Sequence, residues 1–215
     1  MRHTLMVIVP LLLGLTACDW LRGVEGSGER KVEKRGVKSF SALHVSGAYE
    51  LTVRIGEEES LTLEGDDNLL PLIETTVENR ILVVKNSKSI SPKLPLRLTI
   101  TTKTLKELKV SGSLRGSVTG LDADTFGLVA SGSCRLTLAG RADALAMSLS
   151  GSGTLDAARL QARVATVRIS GSGDADLEVS ESLSVKISGS GKVRYGGNPK
   201  TVERDISGSG SVDPR

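Results

Sequence analysis

Apolar and polar residues alternate with a period of two along most of the chain, the pattern of strands that bury one face. Val45, Tyr49, Leu51, Val53 and Ile55 alternate near the start, as do Leu61 and Leu63, and later Leu94, Leu96, Leu98 and Ile100. Leu69 to Val84 is less regular and carries Pro71, which predicts a short helical turn leading into a strand at Ile81–Val84. Further on, the alternation locks to a repeat. A Ser-Gly-Ser triplet begins at Ser111, Ser131, Ser150, Ser170, Ser188 and Ser207, at intervals of 20, 19, 20, 18 and 19 residues.

Apolar columns run through this repeat. Val110, Ala130, Leu149, Ile169, Ile187 and Ile206 precede the triplets, and Leu108, Leu128, Met147, Val167 and Val185 stand two residues earlier, until Arg204 breaks that column. Gly116, Leu136, Leu155, Ala175, Val193 and Val212 follow on the far side. All share one parity, so they share one face, and no single unit could bury that face alone. The pattern predicts an all-β chain folded as a parallel β-helix or β-solenoid, with repeating coils of 18–20 residues over residues 38–213. Gly112, Gly132, Gly151, Gly171, Gly189 and Gly208 have inner parity and are expected at or beside a corner. The serines that open and close each triplet are expected to face outward as two hydroxyl ladders. Leu114, Cys134, Gly153, Gly173, Gly191 and Gly210 form a second inner column. Arg204 is expected to give an end coil a polar edge.

The start of the chain has another character. Met1-Arg2-His3-Thr4 precedes an apolar run from Leu5 to Leu15 that is too short to span a bilayer, and Thr16-Ala17-Cys18 follows. This is the layout of a signal peptide over residues 1–17. Leu15-Thr16-Ala17-Cys18 resembles the bacterial lipobox, which implies acylation of Cys18 and anchoring in membrane lipid. Asp19 resembles the residue that retains enteric lipoproteins, a lean toward the periplasmic face of the inner membrane over the outer membrane. Residues 18–37 lack a sustained period and are expected to be a lipidated cysteine and a flexible tether.

The 39% apolar content with only 2% aromatic residues implies a core of aliphatic side chains, and 24 glycines imply frequent turns. The net charge of +3 is a small imbalance spread over interleaved acids and bases, which gives no concentrated patch for nucleic acid.

Beyond the repeat, Phe40-Ser41-Ala42-Leu43-His44-Val45-Ser46-Gly47-Ala48-Tyr49-Glu50-Leu51, Ile55-Gly56-Glu57, Leu63-Glu64-Gly65-Asp66 and Gly197-Asn198-Pro199-Lys200 carry a likeness. With the Ser-Gly-Ser-Gly units they resemble the head GIN domain family of autotransporter adhesins, a domain of unknown function. The resemblance covers about residues 36–213. It implies a β-helix-like domain on exported or lipid-anchored proteins, and it brings no catalytic residue with it.

Little else in the sequence points to chemistry. His44 reads as a surface residue, and Cys134 as a buried, inert thiol with no histidine to activate it. Gly-x-Ser-x-Gly is absent, and no metal or cofactor signature appears. Asp156, Asp174 and Asp176 beside Arg159 are the one constellation that neighbouring coils could align into a polysaccharide-cleaving groove. The leading expectation is a non-catalytic binding or adhesion-like module in the cell envelope, with an envelope polysaccharide or a protein as partner. An enzyme acting on such a polysaccharide is the first alternative, and a structural, self-associating protein is the second.

Overall fold

The computed structural model describes residues 23–215. Residues 1–17, expected as a signal peptide, and Cys18 and Asp19 lie outside the described residues. The fold is all-β and is dominated by one large mixed sheet of 12 strands, beside a two-stranded one. The first eight strands are β1 Val24–Glu25, β2 Arg30–Arg35, β3 Ala42–Ile55, β4 Ser60–Asp66, β5 Ile73–Glu78, β6 Ile81–Asn86, β7 Ile90–Ser91 and β8 Arg97–Thr102. The later six are β9 Glu107–Gly151, β10 Thr154–Gly171, β11 Asp174–Gly189, β12 Lys192–Gly196, β13 Thr201–Gly208 and β14 Ser211–Pro214. Pro71 sits in a single 3-10 turn, Leu70–Leu72, ahead of β5.

The later strands pair in parallel, in a register the triplets set. β10 lies between β9 and β11, and β11 continues to β12 and β13. Gly151 stands beside Gly171, Gly171 beside Gly189, and Gly189 beside Gly208. β3 joins the same row, with Gly47 beside Gly112. β9 bends at Gly112, Gly120, Gly132 and Gly140, all at positive φ.

The glycines are required by contact and by conformation together. A methyl group on Gly132 would lie 2.4 Å from the Gly112 carbonyl oxygen, and one on Gly171 would lie 2.6 Å from that of Gly151. Their φ angles of 94° and 115° are ones that side chains avoid. With no Cβ in the way, the following serine amide reaches the carbonyl of the neighbouring glycine. Ser152 N donates to Gly132 O at 3.1 Å, Ser172 N to Gly151 O at 3.0 Å and Ser190 N to Gly171 O at 2.9 Å. These glycines are expected at inner parity; the structure turns the corner on them and leaves Gly112, Gly132, Gly151 and Gly208 exposed. Inward packing resumes two residues on, at buried Leu114, Cys134, Gly173 and Gly191.

The interior is filled. Leu108, Leu128, Met147, Val167 and Val185 form one buried column, and Val110, Ala130, Leu149, Ile169 and Ile187 form another. Burial of each larger aliphatic side chain contributes about 2 kcal/mol. Phe40 and Phe126 are the largest fully buried side chains of this core.

The N-terminal end departs from parallel pairing. β6 and β8 both pair in parallel with β3, but β5 runs antiparallel to β6, β4 to β8 and β2 to β4. The segment expected as a tether is therefore strand from Arg30 to Arg35. Its side chains are mostly exposed on both faces, so no period of two marks it. Arg35 ties it down, donating to the Leu70 and Ile73 carbonyls and to Thr75 Oγ1. Asp66, fully buried, ties two other backbone segments to its own strand: it accepts from Gly28 N at 2.7 Å, and from the consecutive Lys93 N and Leu94 N at 3.1 Å and 3.0 Å. Burial opposes its charge, but the amides of Leu94, Gly28 and Lys93 outweigh burial and hold the carboxyl below its ordinary value.

Gly132→Ala and Gly171→Ala are expected to cost about 2–4 kcal/mol in urea unfolding. Gly36→Ala, which meets nothing within 4 Å, is expected to be near neutral. Because Asp66 is held ionised by the fold, its contribution is present above the unfolded carboxylate value of about 3.9 and is lost as pH falls through the lower folded value. Asp66→Asn is expected to lose about 2 kcal/mol at pH 7 and to flatten the acid limb of stability against pH.

Candidate functional site

Parallel register turns outward-facing residues into rows that cross the strands. Three residues past each stacked glycine the row reads Glu50, Arg115, Arg135, Thr154, Asp174, Lys192 and Ser211. Two residues further it reads Thr52, Ser117, Thr137, Asp156, Asp176, Arg194 and Asp213. Ser113, Ser133, Ser152, Ser172, Ser190 and Ser209 lie exposed just past the corner. Ser111, Ser131, Ser150, Ser170, Ser188 and Ser207 precede it, with Ser170 beside Ser188 and Ser188 beside Ser207. Ser46 Oγ meets Ser111 Oγ at 2.8 Å.

Asp156 and Asp176 come together as direct neighbours on β10 and β11, and Asp174 lines the same open hollow. Arg159 is not among the lining residues; the register shifts between Asp156 and Arg159. Arg194 and Arg215 take its place, at 3.1 Å and 3.0 Å from Asp176, and Arg215 also holds Glu178. Asp156 accepts from the Ala158 amide at 3.2 Å. Asp176 is thus committed to two guanidiniums and Asp156 to its own turn, an arrangement that braces the C-terminal strands. The equal-offset rule that aligns Asp156 with Asp176 also finds Arg194, 18 residues after Asp176; Arg215 arrives from the far end of β14 and has no periodic signal.

A second open hollow, of about 420 Å³, lies toward β3 and contains Arg115, Arg135, Ser113, Ser133, Ser152 and Thr154. Tyr49 sits at its floor, its hydroxyl donating to Asn86 Oδ1. Burial pushes the Tyr49 phenol up to about 12, against a smaller opposing effect of the Arg35 charge. Cys134 lies in the floor as well, and burial likewise raises its thiol, only partly offset by the Leu114 and Ser131 backbone. His44 is on the other side of the corner, 2.7 Å from Glu107. Among the described residues, no group of three or more His, Cys, Asp or Glu side chains could hold a metal ion.

Residues 39–199 match the family described as "Putative auto-transporter adhesin, head GIN domain". The chain belongs to that family. Its fold is similar to the crystal structure of a "putative adhesin" from Bacteroides fragilis, with TM-score 0.71 and 21% identity over 90% of this chain and 100% of that one. It is also similar to a "putative adhesin" from Parabacteroides merdae, with TM-score 0.58 and 20% identity over 89% and 98% of the two chains. A "putative lipid binding protein" from Parabacteroides distasonis aligns with TM-score 0.58 and 21% identity over 89% and 99%. At these identities the likeness concerns the fold. No curated protein matches the chain.

Cys134 is expected to react slowly with a thiol reagent at pH 8 in the native protein and fully after unfolding in urea. The fold keeps Tyr49 neutral. Its contribution to stability is therefore present below the unfolded value of about 10 and is lost as pH rises through about 12. Absorbance at 295 nm is expected to show a tyrosine step near pH 12 that Tyr49→Phe removes.

Proposed function

We propose that this chain is a lipid-anchored β-solenoid of the cell envelope that acts as a non-catalytic, adhesion-like binding module. The observation that carries this reading is the flank itself, where hydroxyl and charged side chains stand in rows at the strand spacing of about 4.8 Å over a filled core. Open hollows on that flank can meet a polymer at several points, and each weak contact adds to the others. The equivalent contacts from one stacked glycine to the next support reading the parallel ladders as successive coils, with the antiparallel strands as an N-terminal cap. The lipobox resemblance supports acylation at Cys18 after loss of residues 1–17, and Asp19 favours the periplasmic face of the inner membrane. The domain would start earlier than residue 38, since β2 packs on β4.

The ion pairs around Asp176 weigh against the polysaccharide-cleaving alternative. Edge charges weigh against self-association through β13. A two-fold pairing centred on Arg204 opposes Arg204 to its copy and Glu203 to Asp205, and centring on either acid opposes that acid to its own copy.

Full-length protein incubated with peptidoglycan, lipopolysaccharide or capsular polysaccharide is expected to co-sediment or comigrate with a polymer and release no new sugar ends. New sugar ends that vanish in Asp156→Ala or Asp174→Ala would instead establish an enzyme. In the producing bacterium, Cys18→Ser is expected to abolish incorporation of labelled fatty acid and to release the protein from the membrane fraction; unchanged labelling would contradict the anchor.

A further inference from the structure

Arg115 and Arg135 each stand three residues past a stacked glycine, on adjacent strand segments of one outward row. Like charges directly opposed across a sheet are destabilising. Among the described residues neither arginine lies within ion-pair distance of a carboxylate, whereas Arg97, Arg141, Arg163, Arg194 and Arg215 each hold one. Glu50 stands opposite Arg115 in the row but is held by Arg97 at 2.9 Å, and its single charge does not match two further arginines. On the other side Thr154 is neutral, and Asp174 follows it. Two adjacent arginines thus face a hollow whose lining also holds the Ser113, Ser133, Ser152 and Thr154 hydroxyls, the apolar Ala48, Pro95 and Leu96, and the carboxylate of Glu50.

We propose that this hollow binds an anionic polysaccharide, with the Arg115 and Arg135 guanidiniums on its carboxylate, sulfate or phosphate groups and the flanking hydroxyls on its sugar hydroxyls. A guanidinium fork matches a carboxylate or phosphate edge with two parallel hydrogen bonds. Ser113, Ser133, Ser152 and Thr154 can each donate and accept, as sugar hydroxyls do. The hollow is open, which admits a chain passing across it. Tyr49 is buried with its hydroxyl engaged, so no aromatic face is offered for stacking, and selectivity falls to charge. This site deepens the binding-module reading and rests on it.

Full-length protein in detergent, titrated with polygalacturonate, neutral dextran and poly-glutamate, tests the site. The expected result is binding to polygalacturonate that weakens at least about tenfold in R115Q/R135Q and is unchanged in R168Q, beyond the glycine corner. The double variant is expected to be no less stable than the parent, since it removes a like-charge contact. Equal binding by parent and double variant, an equal loss in R168Q, or poly-glutamate binding as tightly as polygalacturonate would overturn this site. Binding to dextran alone would overturn it and leave the module reading standing. Full-length protein that binds none of these and none of the envelope polymers would overturn both.

Discussion

The approach of one glycine Cα to the carbonyl oxygen of the glycine on the neighbouring strand is the constraint on which the rest depends. Gly112, Gly132, Gly151, Gly171, Gly189 and Gly208 hold positive φ and leave no room for a Cβ. Each lets the chain turn a corner while the next serine amide stays in the parallel ladder. Because each corner stacks on the last, side chains before and after it fall into columns without any pairing choice of their own. Inward columns become an aliphatic core, and outward columns become rows of hydroxyls and charges. Core and outward rows have one cause.

A stack built this way must also end. At the N-terminal side the chain reverses direction, and antiparallel β4, β5 and β2 cover β8 and β6. Buried Asp66 and the Arg35 guanidinium satisfy backbone groups in the loops this reversal leaves. At the C-terminal side Arg204 replaces an apolar residue in its column, hydrogen-bonds the Tyr195 hydroxyl at 3.0 Å and lies over its ring, while Arg215 reaches back to Asp176. Both ends use charge where the middle uses aliphatic packing, as expected where a strand edge meets water.

The middle was legible because the Ser-Gly-Ser period is carried by residues whose geometry is absolute. The row's first position, Ser46-Gly47-Ala48, was not, since alanine replaces the second serine and β4 to β8 separate it from Ser111. β2 was missed for a different reason. Arg30-Lys31-Val32-Glu33-Lys34-Arg35 is held by an arginine reaching carbonyls, and a strand wet on both faces has no apolar period. In the acidic hollow, Asp156 and Asp176 could be aligned by counting, but the bulge that removes Arg159 could not. Arg115 and Arg135, 20 residues apart, lie within reach of the same count, but arginine on a strand reads as solvated surface and carries no signal of its own.

The stacking itself is open to a direct distance measurement. Spin labels at Ser113→Cys and Ser209→Cys, in a Cys18→Ser, Cys134→Ala background, would sit five strand spacings apart along the glycine row. Stacked corners predict a single narrow distribution centred at about 24 Å, broadened only by the label arms. A broad distribution, or one centred beyond about twice that distance, would contradict the stack and with it the in-row binding flank.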